Sequence, residues 1–532
     1  MRLAARGRDG ARAATPSPGP AEGRRLSTSP PRGEVAEGNA RSTRYLSPQE
    51  RGRETRALAC GPGEGPFPRG DDMTPLWTSA DIAAATGGTA SAPFAATGVT
   101  FDSREVTGGE LFVALTGEST DGHRFVDQAR SHGASAMLVS AAVDGPHVRV
   151  PDTMAALTAL AVAARARTEA KIIGVTGSVG KTGTKEALRL ALDRAAPGAV
   201  HASVKSYNNH TGVPLSLARM PAATRFGVFE MGMNHAGELS ALTALVRPHV
   251  AIVTWVASAH REFFASEEAI ADAKGEIFAG LEPGGTAIIP FDSAHRDRLI
   301  AAARPHAARI VTFGLGERAD VRATDHVLHP DCTTATAQVG GKRLMFRIGT
   351  PGAHWLSNAL AVLAAVDAVG GDLALAGLAL AEMGGLPGRG ERFVVPRGDG
   401  SATVIDESYN ANPASMAAAL AVLGGMAATA RKRIILGEMK ELGRESDAFH
   451  AALAPLIDAA GVGHAILVGP AMTALAAALP RHIPAVVVAD AAAAFAAVSG
   501  RSGLAAGDVL LIKGSNSVRL GDVVAGLRKA PV

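Results

Sequence analysis

The stretch from Lys171 to Glu186, K-I-I-G-V-T-G-S-V-G-K-T-G-T-K-E, constrains the chain more than any other. Ile172, Ile173 and Val175 form a β-branched run, glycines punctuate Gly177 to Gly180, and Thr184 to Leu192 has the period of a helix. The pattern is strand, turn, helix. In that setting backbone N–H groups turn inward on a polyphosphate, Lys181 reaches its outer phosphates, and Thr182 offers a hydroxyl to Mg²⁺. The expected ligand is ATP, held by Gly177, Ser178, Val179, Gly180, Lys181, Thr182, Gly183 and Thr184.

The general phosphate-loop pattern asks for Gly five residues before the Gly-Lys pair, and that position is Val175. What is present is the shorter T-G-x-x-G-K-T, Thr176 to Thr182. This variant resembles the ATP loop of the Mur ligases and their folylpolyglutamate synthase relatives, which join a carboxylate to an amine. An ordinary Gly-rich strand-to-helix turn is the plain alternative.

A chain of 532 residues has room for about three domains of ordinary size. The first 72 residues carry 13 Arg and 9 acids with no Lys, many Pro and Gly, and no sustained apolar period, and are expected to be disordered. Without them 40 basic side chains face 41 acidic ones, so the formal +3 belongs to this extension and nucleic acid is not implied. Met73 opens M-T-P-L-W-T-S-A-D-I, a plausible protein start with Ser79 capping a short helix, so the true initiator is expected there. Cys60 and Cys332 are too few for a disulfide framework or a zinc site, which fits a reducing cytoplasm. The longest charge-free run, Ser408 to Ala430, is a poor membrane span, and no membrane insertion is expected. A monomer is the expected state.

From Leu76 to about Thr168 short strands alternate with turns: Val99 to Asp102, Leu111 to Leu115, a helix from Arg124 to His132, and a strand from Ala136 to Val139. After the phosphate loop, strands are expected at Phe226 to Met231, Val250 to Val256, Thr286 to Ile289 and Arg309 to Phe313, with helices at Glu267 to Leu281 and Asn358 to Val369. That alternation reads as a mostly parallel sheet with helices on both faces. Glu382 to Arg392, rich in Gly and Pro, reads as a linker. Beyond it strands are expected at Thr403 to Ile405, Arg433 to Leu436, Ala465 to Val468, Ala485 to Val488 and Val509 to Ile512, with Pro413 in a first helical turn after Asn412. The fold class is α/β, in domains over 73–168, 169–390 and 391–532, after the extension 1–72. A cleft between the last two is the expected place for chemistry.

Activating a carboxylate with ATP gathers negative oxygens, so acids, His and Lys at strand ends near the loop are the candidates. Glu230 ends a strand in V-F-E-M-G-M-N-H, at the sheet edge where open α/β sheets bind ligands. Taken singly it is a solvated acid, His260 in W-V-A-S-A-H-R-E a surface histidine, and Lys274 in A-D-A-K-G-E-I-F a solvated helix lysine.

The resemblance to the Mur ligases extends over nearly everything from Met73 to Val532. The segment D-S-R-E-V-T-G-G-E-L-F-V-A-L-T-G-E-S-T-D-G-H-R-F, Asp102 to Phe125, looks like their amino-terminal domain for UDP-N-acetylmuramoyl substrates, which implies contacts from Ser103 and Arg104. The fourteen-residue spacing of His260 and Lys274 resembles ligases whose matching Lys is carbamylated by CO₂, giving oxygen ligands for a second Mg²⁺. Thr182, Glu230, His260 and carbamylated Lys274 are then the implied metal set, and Lys181, Glu230, His260 and Lys274 the implied catalytic set. S-Y-N-N-H-T-G-V-P-L-S-L, Ser206 to Leu217, resembles the substrate loop, with Asn208 and Asn209 as hydrogen-bonding amides. G-A-H-W-L-S-N-A-L-A, Gly352 to Ala361, resembles the adenine-side motif, implying His354 and Asn358; the family commonly has Asn where this chain has Trp355. Arg389 in P-G-R-G-E-R resembles an arginine that meets the phosphates, and Asp406 in D-E-S-Y-N-A-N-P-A-S one that holds the ribose. Tyr409, Asn410 and Asn412 of that motif would face substrate or nucleotide.

The blocks L-G-E-M-K-E-L-G, Leu436 to Gly443, and L-I-K-G-S-N-S, Leu511 to Ser517, resemble the branch that adds D-alanyl-D-alanine to UDP-N-acetylmuramoyl tripeptide, and the D-N-P-R motif of the diaminopimelate-adding branch is missing. The resemblance implies amide formation through an acyl phosphate. Another amide ligase of this kind, or a nucleotide-binding module without catalysis, are the alternatives.

Overall fold

The computed structural model describes residues 75–529, apart from 118–119, 259–261, 428–430 and 501–502. The expectations for residues 1–72, Met73 and His260 lie outside the described residues. Strands β1 (Trp77–Thr78), β2 (Thr89–Ala90), β3 (Ala95–Ala96), β4 (Gly98–Thr100), β5 (Glu110–Val113), β6 (Ala136–Val139) and β7 (His147–Arg149) build the amino-terminal part. β1 pairs with β3, and the other five form a sheet ordered β2-β7-β6-β5-β4, parallel except at β2. The first helix, Ser79–Thr86, is capped by Thr78 rather than Ser79. Thr78 is extended, so its hydroxyl accepts from Asp81 N while the Asp81 carboxylate reaches back, a capping box. The helix expected at Arg124 begins as a 3₁₀ turn, Gly122–Phe125, and becomes α-helical at Val126–Ser131.

The central sheet contains β8 (Lys171–Thr176), β9 (Val200–Ala202), β10 (Phe226–Glu230), β11 (Val250–Val253), β12 (Thr286–Pro290), β13 (Arg309–Gly314), β14 (Val321–Leu328), β15 (Thr333–Val339) and β16 (Lys342–Ile348). Their order is β16-β15-β14-β13-β12-β11-β8-β10-β9, parallel from β9 to β14. Strand β8 therefore lies between two later strands, β10 and β11, so that the chain switches direction across the sheet beside it. Its side chains alternate into two cores. Ile173 and Val175 pack with Leu188 of helix Lys181–Ala195 and Leu360 of helix Ala353–Ala368, whereas Ile172 packs with Leu242 and Ile270 on the other face. Burial on both faces is why this segment is nearly continuously apolar.

The antiparallel extension β14-β15-β16 lay outside the expected pattern. Gly340 and Gly341 both take positive φ, 53° and 80°, at its second turn, as a tight hairpin requires. Helix Glu267–Gly275 tightens into a 3₁₀ segment, Glu276–Gly280, and the helix expected from Asn358 starts at Ala353, which puts His354 and Trp355 in its first turn.

The carboxy-terminal sheet contains β17 (Glu391–Arg397), β18 (Gly400–Glu407), β19 (Arg431–Gly437), β20 (Val462–Val468), β21 (Ala485–Val488) and β22 (Asp508–Lys513), ordered β17-β18-β22-β19-β20-β21 and parallel except at β17. Helix Pro413–Gly424 starts as expected, with Asn412 as cap and Pro413 at the first position. Among the described residues no helix is long and apolar enough to cross a membrane.

Candidate active site

Where β8 ends, the chain must turn within reach of the strands beside it. A Cβ on Gly177, at φ +152°, would lie 1.9 Å from Thr254 Oγ1, so only glycine allows this approach. Gly180, at φ +86°, starts helix Lys181–Ala195 without a side-chain cap, leaving the helix N-terminus and its N–H groups for an anion. Ser178 secures the loop instead: its N–H donates to Trp255 O at 2.8 Å and its Oγ to Ala257 O at 3.0 Å. Lys181 Nζ donates to Gly177 O at 2.6 Å. Burial pushes the Lys181 pKa down; the Glu230 charge opposes this and Arg389 adds to it.

Glu230, the last residue of β10, is 1% exposed. Its Oε2 accepts from Thr182 Oγ1 at 2.9 Å and its Oε1 from Asn208 Nδ2 at 2.7 Å. A carboxylate and a hydroxyl at a phosphate-binding helix are the hard oxygen donors that suit Mg²⁺. Lys274 is 1% exposed on helix Glu267–Gly275, with no hydrogen-bond partner among the described residues. Burial, and then the Lys181 charge, hold its pKa well below the usual lysine value. Thus Thr182 and Glu230 of the expected metal set meet directly, and Lys274 lies within electrostatic reach of Lys181. The described residues contain no cluster of three or more His, Cys, Asp or Glu.

The first turns of helix Ala353–Ala368 back the loop. A Cβ on Gly180 would meet Asn358 Oδ1 at 2.6 Å, and one on Gly183 would meet the Trp355 ring at 2.9 Å. Burial pushes the His354 pKa down, while Glu407 from the carboxy-terminal domain pulls it back. That domain closes a cavity of about 910 Å³ over the loop, contributing Tyr409, Asn410, Asn412 and Lys513 opposite Lys181 and Glu230. Arg389 lies over the Tyr409 ring at 4.2 Å, with Nη2 3.5 Å from Ser206 Oγ. Asn412 donates from Nδ2 to Ser178 O at 3.4 Å, so the residue that caps one helix also touches the phosphate loop.

The cavity is lined by Ser178, Val179, Gly180, Lys181, Thr182 and Gly183, but not by Gly177 or Thr184; Thr184 is fully buried. Asn208 lines it, whereas Asn209 Oδ1 accepts from Thr211 N and Gly212 N and shapes the start of helix Gly212–Ala218. Asp406 spends its carboxylate on Gly388 N at 3.0 Å, Ser408 N at 3.0 Å and Ser408 Oγ at 2.6 Å, and so organises the linker rather than the cavity wall. Ser103 and Arg104 belong to the amino-terminal sheet's loop, away from the cavity; Ser103 donates to Gln128 Oε1 and Arg104 pairs with Asp102. Several lining residues carry no role assigned from the sequence, charged ones among them. Lys513 and Glu407 face each other from β22 and β18, and Asp292 holds Leu315 N and Gly316 N at the cavity edge. The first two occupied motifs already singled out; Asp292 carries no sequence signal.

A phosphate loop at the switch strand of a parallel sheet, with a buried acid beside it and a second α/β domain closing on it, defines a nucleotide-dependent enzyme of three domains. Family profiles described as "Mur ligase family, catalytic domain", "Mur ligase middle domain" and "Mur ligase, glutamate ligase domain" match residues 95–169, 175–366 and 389–516. The chain belongs to the Mur ligase family. It is 34% identical over 443 residues to the UDP-N-acetylmuramoyl-tripeptide--D-alanyl-D-alanine ligase of Escherichia coli, covering 81% of this chain and 93% of that one. It is 31% identical to the Bacillus subtilis enzyme of the same name, covering 82% and 94%. Among solved structures, MurF from Acinetobacter baumannii superposes with a TM-score of 0.73 at 29% identity over 85% of this chain and 99% of that one. MurF from Thermotoga maritima in complex with ADP gives 0.67 at 26% identity over 81% and 97%.

Proposed function

We propose that this enzyme joins D-alanyl-D-alanine to UDP-N-acetylmuramoyl tripeptide, driven by ATP, to form the pentapeptide precursor of peptidoglycan in the cytoplasm. The observation that carries this reading is the convergence on one cavity of the open helix N-terminus, Lys181, Arg389 and Lys513 with the Glu230–Thr182 pair. The near full-length similarity to ligases of that name supplies the substrates.

The terminal carboxylate of the tripeptide attacks the γ-phosphorus of ATP, the bond to the bridging oxygen breaks, and ADP leaves. The dipeptide amine then attacks the carbonyl carbon of the acyl phosphate, loses a proton, and expels inorganic phosphate. Lys181 and the helix N–H groups bind the phosphates, and Arg389 and Lys513 face the charge that develops. Mg²⁺, when bound, would supply charge neutralisation for the phosphates. Thr182 and Glu230 would hold it, and we assign His260 to the same set. Burial shifts Lys274 toward the neutral amine, the form that adds CO₂, and its carbamate would offer oxygens to a second Mg²⁺. His354 and Asn358 border the adenine side, with Tyr409, Asn410 and Asn412 facing substrate or nucleotide. Ser103 and Arg104 are assigned to the UDP moiety, within a domain spanning 73–168. Closure of the domain over 391–532 on the domain over 169–390 excludes water that would hydrolyse the acyl phosphate.

The test is phosphate release with ATP, Mg²⁺, UDP-muramoyl tripeptide and D-Ala-D-Ala, omitting one component at a time. Release that needs all four, with a UDP-muramoyl pentapeptide in the mass spectrum, supports the reading. Release without the dipeptide, or at full rate with another amine, overturns it.

A further inference from the structure

Glu230 is oriented by a loop that is itself clamped from two sides. One helical turn beyond Lys181, Lys185 is fully buried on the phosphate-loop helix. Its ammonium donates to Ser203 O at 2.7 Å and Lys205 O at 2.9 Å, and meets Glu186 Oε1 at 2.7 Å, so each of its three protons has an acceptor. Lys205 has φ +52°, unusual for a residue with a side chain, and the buried lysine holds its carbonyl in that conformation.

From the other side Glu105, in the amino-terminal domain, accepts from Lys205 Nζ, from Tyr207 Oη at 2.8 Å and from Arg219 Nη2 at 3.4 Å. Both clamps act on the short segment that delivers Asn208 Nδ2 to Glu230 Oε1 and Ser203 Oγ to Glu230 N. Thr182, on the same helix as Lys185, takes the remaining carboxylate oxygen. Helix, loop and strand end thus form a closed ring of hydrogen bonds around one acid.

We propose that Lys185 and Glu105 are positioning residues for Glu230: the clamped 203–208 loop sets the carboxylate that holds Mg²⁺, and Glu105 ties that setting to the domain that receives the UDP substrate. This rests on Glu230 as a magnesium holder in the reading above. Neither residue lines the cavity, so neither touches nucleotide directly.

Calorimetric titration of ADP into the full chain at a series of Mg²⁺ concentrations tests this without turnover. Glu105→Ala should raise the Mg²⁺ concentration for half-maximal tightening by about tenfold, the scale on which groups orienting a metal ligand act, and leave metal-free ADP affinity unchanged. Asn208→Ala should give the same shift, and the double variant should shift no further than Asn208→Ala alone. Glu105→Gln, which keeps an acceptor for Tyr207, should recover part of the loss. Lys185→Met is the stronger perturbation, but Glu105→Ala decides the matter because it leaves the buried helix intact. If Asn208→Ala shifts the Mg²⁺ requirement while Glu105→Ala does not, or if their shifts add, the clamp is wrong and the Glu230 assignment survives. If wild-type ADP binding ignores Mg²⁺, the Glu230 assignment falls and takes the clamp with it.

Discussion

Trp355 closes over Gly183: a Cβ added at residue 183 would lie 2.9 Å from Trp355 Cη2 and 3.1 Å from Cζ3. The indole is 6% exposed and sits where the resembling motif usually has Asn, so in this chain its ring packs against the first turn of the phosphate-loop helix. Elsewhere Gly→Ala inside a helix gains about 1 kcal/mol from propensity. Here overpacking against the buried ring costs about 1–3 kcal/mol. Gly183→Ala should therefore lower the melting temperature, and adding Trp355→Phe should restore part of it. Thermal unfolding of both single variants and the double variant measures the coupling, and a stabilised Gly183→Ala would show that the ring moves freely.

Lys274 bears on CO₂. Burial first, then Lys181, lower its pKa, which raises the share of neutral amine, the form that adds CO₂, above that of an ordinary lysine. As pH falls through the depressed value the amine protonates and the carbamate becomes harder to form. Activity in CO₂-free buffer should fall, recover with bicarbonate, and need more bicarbonate at lower pH. Lys274→Ala should lose at least about 100-fold, and bicarbonate should restore nothing in that variant. Wild-type turnover by Lys274→Ala would sink the carbamate.

The parts of this site legible in the sequence are those fixed by short-range pattern. Ile172 to Val175 announced a strand, β6 and β21 have the bounds that their short apolar runs imply, and Glu230 was visible as an acid at a strand end. Long-range register was not legible. Glu407 meets Lys513 because β18 and β22 pair residue for residue at that point, and strand alternation then turns the neighbouring Asp406 to the opposite side, onto Gly388 and Ser408. Asn208 and Asn209 are likewise equivalent in the sequence; one turn of backbone sends the first to Glu230 and the second into a helix start. The 3₁₀ segments at Gly122–Phe125 and Glu276–Gly280 escaped for a local reason, since the shift from four-residue to three-residue bonding leaves the apolar period almost unchanged.

His201 makes stability depend on acid. Its Nε2 lies 2.7 Å from Ser216 O, and burial lowers its pKa to about 4. In the unfolded chain the imidazole titrates near 6.5, so between these values the unfolded state holds the extra proton. The contribution is complete above pH 6.5 and is lost as pH falls toward 4, up to about 3 kcal/mol in all. Urea unfolding of wild type and His201→Gln at pH 7.0, 5.5 and 4.5 should show a shallower decline in the variant. Parallel declines would mean that other groups carry the acid sensitivity.

Lys513 separates stability from catalysis. Its Nζ meets Glu407 Oε2 at 3.2 Å and donates to Asn410 O at 2.9 Å at the cavity wall. Burial lowers its pKa, and the Glu407 charge opposes that shift. Lys513→Met leaves the Glu407 charge without its partner, which should cost about 3 kcal/mol of stability. Removing a cation that faces the developing phosphate charge should also lower turnover by about 100-fold. Glu407→Gln added to Lys513→Met removes the stranded charge, so stability should return to near the wild-type value while turnover stays low. Chemical denaturation and phosphate release on wild type, Lys513→Met and the double variant distinguish the two effects. Recovery of turnover together with stability in the double variant would make Lys513 a structural partner of Glu407 and nothing more.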